Sequence, residues 1–345
     1  MIRPLVTFAL VVYKQERFVE EAIRSALAQD YRPLEILITD DASPDGTSSV
    51  IGRVLDEYAG PVPVRVIRNP TNIGLIATIN RLMEEANGEI IVGAAGDDVS
   101  IPTRTTETVR LFVEDSDVHS VYANAIVIDS DGREQRLFYP DPPDATRHLL
   151  GHAAREGLAV LGASHAWRRR VFDIFGPLPT GGSFEDHGIA FRSAFLGSIR
   201  YLDRVLIRYR QHGENIFLGT TGVDGTVEEW HRGMEQFTRR ERGMLLARLE
   251  DLEVALQKFP ERRETIVELR ALTELAVEER TDQIRLLAGA SLLDRIATIV
   301  SRAWSGMPPR RVARWVLTFL LPGYYLRRIR RRSAVVPPTG FGSGS

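Results

Sequence analysis

The first hundred residues alternate between short apolar runs and longer stretches with helical periodicity. Short runs rich in β-branched residues predict buried strands, and apolar residues that recur every three to four positions predict amphipathic helices. Strands that alternate with helices of this kind are typical of right-handed βαβ units, so the pattern predicts an α/β fold with a largely parallel sheet flanked by helices. The predicted strands are 5–12, 34–39, 62–67 and 89–94, and the predicted helices are 18–27, 48–58 and 75–86.

Two of these predicted strands end in adjacent carboxylates. The second runs into Asp40-Asp41 and the fourth into Asp97-Asp98. Because ligands of open α/β sheets bind at the carboxyl ends of the strands, both acidic steps are expected in one site. Adjacent carboxylates repel unless a cation or hydrogen bonds offset them, so Asp97-Asp98 is a candidate for Mg²⁺ or Mn²⁺. The alternative for each pair is ordinary turn and helix-cap chemistry.

The pattern changes after residue 98. Runs 119–129 and 134–139 flank Ser130-Asp131-Gly132, which predicts a hairpin, and 199–209 predicts a further strand. From residue 227 the chain becomes helical and charged, with apolar residues at 245, 249, 252, 256 and 259. This seam fits either a short coiled coil that joins two copies of the chain or a helical hairpin packed on the core.

Charge is unevenly distributed near the C-terminus. The 345 residues carry a formal charge of −2, yet eight arginines and no acid lie between residues 310 and 332. An apolar stripe accompanies them, formed by Val312, Trp315, Val316, Phe319 and Leu320. Such a helix fits an anionic membrane surface, and the alternative is a helix docked on the protein's own core. Nothing else in the chain indicates nucleic-acid binding.

Several function classes are excluded by composition and motif. The chain has no cysteine, which rules out disulfides, thiolate zinc sites and cysteine nucleophiles and fits a reducing compartment. No apolar run reaches the roughly 18–20 residues of a spanning helix, and the N-terminus is interpreted as a core strand rather than a signal peptide. There is no Walker-type or dinucleotide-binding Gly-rich loop, so carboxylates and a metal are expected to hold a nucleotide.

Motifs in a fixed order carry a family resemblance. They are 8–13, 25–29, 40–47, Asn72-Ile73-Gly74, Asn80, Gly88-Glu89, Asp97-Asp98, Phe184-Glu185-Asp186 and Tyr209-Arg210-Gln211-His212. In this order and spacing the chain resembles the family 2 inverting glycosyltransferases, which have the GT-A fold, over residues 1–215. Lys14 stands where that family commonly has Asn, a small departure in the first loop.

The resemblance implies roles for individual residues. It makes Asp186 the catalytic base, with Glu185 in support. It places the donor nucleotide on Tyr13, Asp41, Asn72, Gly74 and Asp97, the metal on Asp98 and His212, and the diphosphate near Arg210. Inverting transfer needs a base that deprotonates the acceptor hydroxyl on the face opposite the leaving group, and a carboxylate pair fits that need. The alternative for Glu185-Asp186 is that acids simply favour a helix N-terminus.

We therefore expect a metal-dependent inverting glycosyltransferase that uses a nucleoside-diphosphate sugar, with a UDP-sugar favoured, and Mn²⁺ or Mg²⁺. The expected acceptor is a glycan or a lipid-linked hydroxyl in cell-surface polysaccharide or glycolipid synthesis at the inner face of the cell membrane. The alternatives are a nucleotidyltransferase and a non-catalytic glycan-binding scaffold. The expected divisions are a GT-A domain (1–218), a helical extension (219–306) that could join two copies through 227–300, a membrane-associating segment (307–332) and a disordered tail (333–345).

Overall fold

A computed structural model describes residues 3–144, 149–156, 158, 160–181, 184–212, 226–325 and 327. Its strands are β1 (Val6–Val12), β2 (Leu34–Asp40), β3 (Val64–Arg68), β4 (Ile90–Ala95), β5 (Val99–Ser100), β6 (Val118–Ile128), β7 (Glu134–Leu137), β8 (Ala166–Arg168) and β9 (Ser198–Arg210). Its α-helices are α1 (Val19–Leu27), α2 (Thr47–Asp56), α3 (Leu75–Glu85), α4 (Arg104–Glu114), α5 (Leu150–Arg155), α6 (Arg170–Phe175), α7 (Glu185–Leu196), α8 (Val227–Lys258), α9 (Arg263–Leu287), α10 (Leu292–Trp304) and α11 (Pro309–Trp315).

The strands form one mixed sheet in the order β3-β2-β1-β4-β8-β6-β9-β5, with β7 paired to β6. The first four strands in this order are parallel, as predicted. Beyond β4 the sheet is mixed, because β8 runs antiparallel to both β4 and β6 whereas β6 and β9 are parallel. In register, Val12 lies beside Asp40 and Val11 beside Ala95, so the carboxyl ends of β1, β2 and β4 meet at one edge. The predicted α/β class is confirmed.

The alternation of side chains along β1 explains why helices pack on both faces of the sheet. Successive side chains of a strand point to opposite faces, and Phe8 and Leu10 pack into the cluster that α1 and α2 cover. Ala9 points the other way and packs with Ile79 and Ile189, from α3 and α7. Both faces of the parallel part are therefore buried, as a parallel sheet requires.

Helices α8 and α9 form an antiparallel hairpin that shares a core with the sheet domain. Ion pairs link the two helices at Glu253–Arg270 and at Glu241–Arg280. Leu252, Ala255, Ile266 and Leu269 pack with aromatic side chains of α7. Of the two arrangements that the leucine seam allowed, the structure shows the hairpin packed on the core.

The apolar stripe of residues 312–320 packs on the protein. Trp315 and Phe319 are 4% and 3% exposed and contact Leu286, Leu287 and Ile299. Much of the apolar face for which membrane contact is predicted is therefore covered by the protein itself, and that contact stays a prediction. No helix in the described part of the chain combines the length and apolarity needed to cross a bilayer. The predicted disordered tail, 333–345, lies outside the described residues.

Candidate active site

Asp41, directly after β2, organises one wall of the site. Its side chain is buried, and its Oδ1 accepts hydrogen bonds from Asn69 Nδ2 at 2.7 Å and from the Ile73 backbone N–H at 2.9 Å. Its Oδ2 accepts from the Gly74 N–H at 2.9 Å, and Asn72 Nδ2 reaches the Asp41 carbonyl at 3.4 Å. Gly74 has a φ of 83°, a conformation that favours glycine. Asp41, Asn72 and Gly74 are thus brought together as predicted.

Tyr13, directly after β1, lies on the open side of this wall. The Asp41 N–H donates to the Val12 carbonyl at 3.1 Å, so Tyr13 and Asp41 leave neighbouring strands side by side. The Tyr13 ring is 39% exposed, and the Lys14 ammonium lies 5.4 Å from its centroid. An exposed ring beside a buried carboxylate is a suitable surface for stacking a planar base.

Asp98 is a buried carboxylate with one unsatisfied oxygen. Its Oδ1 accepts from the Arg210 N–H at 2.8 Å, whereas its Oδ2 is buried and accepts no hydrogen bond within the described residues. Burial, and then the charge of Asp97, raise the pKa of Asp98 well above its usual value. His212 Nε2 lies 3.0 Å from Asp97 Oδ2, so His212 is beside the acidic pair, and its role as a metal ligand stays a prediction. The described residues contain no ready-made group of three or more metal-ligating side chains, and the fit to a cation depends on the free Asp98 oxygen.

The buried Arg210 side chain forms hydrogen bonds with several elements around the site. Its side chain is 2% exposed, and its Nε donates to the Asp97 carbonyl at 2.9 Å. The terminal nitrogens donate to the Ser130 carbonyl at 3.2 Å and to Glu21 Oε2 at 2.7 Å. The guanidinium is buried among these partners, and the role of Arg210 near the diphosphate stays a prediction. Arg210 joins α1, the β6–β7 hairpin and the Asp97-Asp98 turn.

Arg104 is a residue that the sequence reasoning missed. It is 1% exposed, and it donates to Ser100 Oγ at 2.9 Å and to the Gly93 carbonyl. Burial lowers the pKa of Arg104 to about 9, while its positive charge opposes the rise in the pKa of Asp98. Arg104 is thus a buried positive charge that stabilises the carboxylate form of Asp98. No motif signals it, since a single arginine at the start of a helix is common.

Glu185 and Asp186 begin α7, and they form a second acidic centre. The His187 N–H donates to Asp186 Oδ1 at 2.8 Å. Burial and the charge of Asp186 raise the pKa of Glu185 to about 8, and burial raises the pKa of Asp186 to about 7. A helix N-terminus favours the carboxylate form, but here loss of hydration outweighs it. The pair therefore holds a proton near neutral pH.

Gly162, also missed from sequence, permits this arrangement. A Cβ at Gly162 would lie 3.1 Å from Glu185 Oε1 and 3.2 Å from Asp186 Oδ2, and the Gly162 N–H interacts with the Asp186 carboxylate. A side chain at this position would crowd both carboxylates, which would have to shift by a few tenths of an ångström. Its signal in the sequence is weak, because nothing near Gly162 indicates that the chain returns to α7.

The Tyr209 phenol lies near both acidic centres. Tyr209 is 9% exposed on β9, and its pKa is raised by burial and then by the charges of Asp98, Asp97 and Asp186. All three carboxylates thus lie within electrostatic reach of the same hydroxyl group. The Asp97-Asp98 centre and the Glu185-Asp186 centre therefore border one site.

Comparison with known proteins identifies the family. The sequence model described as Glycosyl transferase family 2 matches residues 7–174. The putative glycosyltransferase EpsE of Bacillus subtilis is 30% identical over 161 residues, which cover 47% of this chain and 57% of that protein. An uncharacterized glycosyltransferase of a Nostoc species is 29% identical over 221 residues, covering 63% of this chain and 67% of that protein.

The fold also resembles a solved structure, the mannosyltransferase PcManGT from Pyrobaculum calidifontis in complex with GDP-Man and Mn²⁺. The TM-score is 0.52 at 18% identity, with 93% of this chain and 86% of that chain covered. The likeness concerns the fold, and the chain spans only 57–67% of the length of the two relatives above. Residues 7–174 of this chain match glycosyl transferase family 2, and the chain has a GT-A fold.

Proposed function

We propose that this protein is an inverting glycosyltransferase that moves a sugar from a nucleoside-diphosphate sugar to a hydroxyl of a glycan or lipid-linked acceptor. The observation that carries the proposal is the pairing of two acidic centres around Tyr209. One centre holds a carboxylate oxygen without a partner, Asp98 Oδ2, and the other holds a proton near neutral pH, on Glu185-Asp186.

Asp186 acts as the general base in this proposal. Inversion is a single displacement in which the acceptor oxygen attacks the anomeric carbon as the diphosphate leaves. The acceptor proton passes to Asp186, whose pKa of about 7 suits proton transfer at neutral pH. Glu185 lies beside Asp186 and keeps its own proton at neutral pH, and the Gly162 backbone contacts both carboxylates.

The donor nucleotide lies at the carboxyl ends of β1, β2 and β4. The base stacks on Tyr13 and donates an N–H to Asp41, a carboxylate acceptor, and we favour a UDP-sugar as the donor. Asp41 already accepts three hydrogen bonds, so its geometry is fixed before the base arrives. Asp97 binds the ribose hydroxyls, and the loop that contains Asn72 and Gly74 forms one wall of the nucleotide pocket.

Asp98 Oδ2 and His212 are the groups that would hold Mn²⁺ or Mg²⁺. A carboxylate oxygen that is buried and lacks a hydrogen-bond partner fits a hard cation. A metal bound there supplies positive charge for the leaving diphosphate. We assign this chemistry to residues 1–218, with 219–306 as a helical support, and we place the protein peripherally at the inner face of the cell membrane.

Calorimetry with UDP, GDP, dTDP and CDP, with and without Mn²⁺, tests the proposal. We expect one diphosphate to bind only with metal, and Asp98→Ala to abolish this binding. Asp173→Ala is the matched control, because Asp173 lies on α6 with a 57% exposed side chain. Release of pyrophosphate on turnover would indicate a nucleotidyltransferase instead. A folded protein that binds none of the four nucleotides would indicate the scaffold alternative.

A further inference from the structure

Helix α10 turns an apolar face to solvent. Leu292, Leu293, Ile296, Val300 and Trp304 are 64%, 78%, 41%, 49% and 89% exposed. Spacings of three and four residues place them on one side of the helix. Isolated exposed apolar residues are ordinary, but a continuous row along a whole helix marks an interaction surface.

The opposite side of α10 faces the protein and is mainly polar, although Ile299 on α10 is buried in an apolar cluster. Arg302 binds the Asp282 carboxylate at 2.6 Å, and Arg285 donates to Thr298 Oγ1 at 2.8 Å. Arg295 donates to the Phe319 carbonyl at 2.9 Å. A surface helix of a globular protein normally buries its apolar side. Here polar contacts fix the reverse orientation, which keeps the apolar row outward.

The positive charge around the apolar face of α10 indicates an anionic partner. The last acidic residue of the chain is Asp294, and the arginines after it are Arg295, Arg302, Arg310, Arg311, Arg314, Arg327, Arg328, Arg330, Arg331 and Arg332. Arg310, Arg314 and Arg327 are exposed. Two copies of so basic a region repel each other, whereas an anionic surface attracts it.

Exposed apolar side chains also occur in a segment that lies beside α10. The bond from Arg295 to the Phe319 carbonyl brings the segment after residue 319 beside this helix. In that segment Leu321 and Tyr324 are 51% and 53% exposed. Trp and Tyr at the margin of an apolar face, with arginines next to them, match the chemistry of a lipid headgroup boundary.

We propose that α10, together with Leu321 and Tyr324, lies in the interface of an anionic lipid membrane. Helices of this type insert their apolar side to the boundary between headgroups and acyl chains. Basic residues near the surface add electrostatic attraction to anionic lipid. The surface differs from the stripe of residues 312–320, which the protein itself buries. The inference goes beyond the proposed transfer reaction and does not depend on it.

The chain contains its own reporter for this contact. Of its four tryptophans, Trp167, Trp230 and Trp315 are 5%, 4% and 4% exposed, and Trp304 is 89% exposed. Acrylamide therefore quenches chiefly Trp304. We expect vesicles of phosphatidylcholine with phosphatidylglycerol to shield Trp304 and to shift its emission to the blue. Phosphatidylcholine vesicles alone should do so far less, and high salt should weaken the effect.

Substitutions on the face separate membrane binding from folding. Leu292→Ser with Leu293→Ser removes apolar area at the start of the helix, where serine is tolerated, and should weaken partitioning about tenfold or more. Val267→Ser on α9 is the control, since Val267 is also half exposed but lies outside the face. Trp304 that stays fully quenchable with anionic vesicles overturns the proposal. Shielding that grows with protein concentration and needs no lipid overturns it in favour of a second copy of the chain.

Discussion

At the scale of single residues, the surroundings of Asp186 determine when the site can accept a proton. Burial raises the pKa of Asp186 to about 7, so the base is deprotonated only above neutral pH. We expect kcat to rise with pH through about 7. Asp186→Asn should lower kcat by about 10²–10⁴ while donor binding is retained, because a general base contributes that much to catalysis.

Steady-state kinetics across pH, with calorimetry of the donor, measure both effects. Glu185→Gln is the informative companion, because Glu185, with a pKa of about 8, is still neutral while Asp186 loses its proton, so the rise in kcat should stay at nearly the same pH. A kcat that stays constant through neutral pH would show that the acceptor proton goes to another group.

Glu185 should also make the fold less stable as pH rises. Its pKa is 4.5 in an ordinary setting and about 8 in the folded protein, so the folded state holds a proton that the unfolded state has already lost. The free energy of unfolding therefore falls as pH rises from 4.5 to about 8. Glu185→Gln should raise the melting temperature by roughly 2–4 °C or more at the upper end of this range.

The same substitution should change little near pH 4.5, where both states of the wild type are largely protonated at Glu185. Calorimetric melting at the two pH values tests this. An increase in melting temperature of equal size at both pH values would indicate altered packing rather than removal of a buried charge.

At the scale of elements, a buried ion pair fastens α8 to α7. Arg192 and Asp251 are 2.7 Å apart, with side chains 1% and 4% exposed. Asp251→Ala leaves a buried guanidinium without its carboxylate and should cost about 3–5 kcal/mol of unfolding free energy. Urea denaturation measures the loss. Glu253→Ala, two residues along α8 with its carboxylate 49% exposed, should cost less than about 1 kcal/mol.

The sequence predicts elements well where local pattern decides them. Strands β1 to β4 and helices α1 to α3 follow from apolar spacing alone, and the hairpin around Gly132 follows from its turn residues. The sequence does not predict which face of an amphipathic helix turns inward. Trp315 on α11 is buried and Trp304 on α10 is exposed, although both lie in apolar stripes near arginines. Their orientation depends on polar partners such as Asp282, which local spacing does not encode.

At the scale of the whole molecule, the candidate site depends on contacts between distant parts of the chain. Glu21, at the start of the fold, binds Arg210, which is 189 residues further on. Gly162 reaches Asp186 through a chain reversal that has no signature in the sequence. The carboxylates themselves could be predicted, because strand ends and helix starts mark them. The groups that brace them, Arg104 and Arg210, could not, because their roles arise only from tertiary packing.

The core shared by α7 and the α8–α9 hairpin also limits how this protein can evolve. The family match ends at residue 174, yet Arg192 and the aromatic side chains around it are covered by residues beyond 250. A recombination event with its breakpoint near residue 218 would expose Arg192 and the aromatic side chains of α7, which the α8–α9 hairpin covers. A replacement for the C-terminal half would therefore have to supply both a carboxylate for Arg192 and an apolar cover for α7.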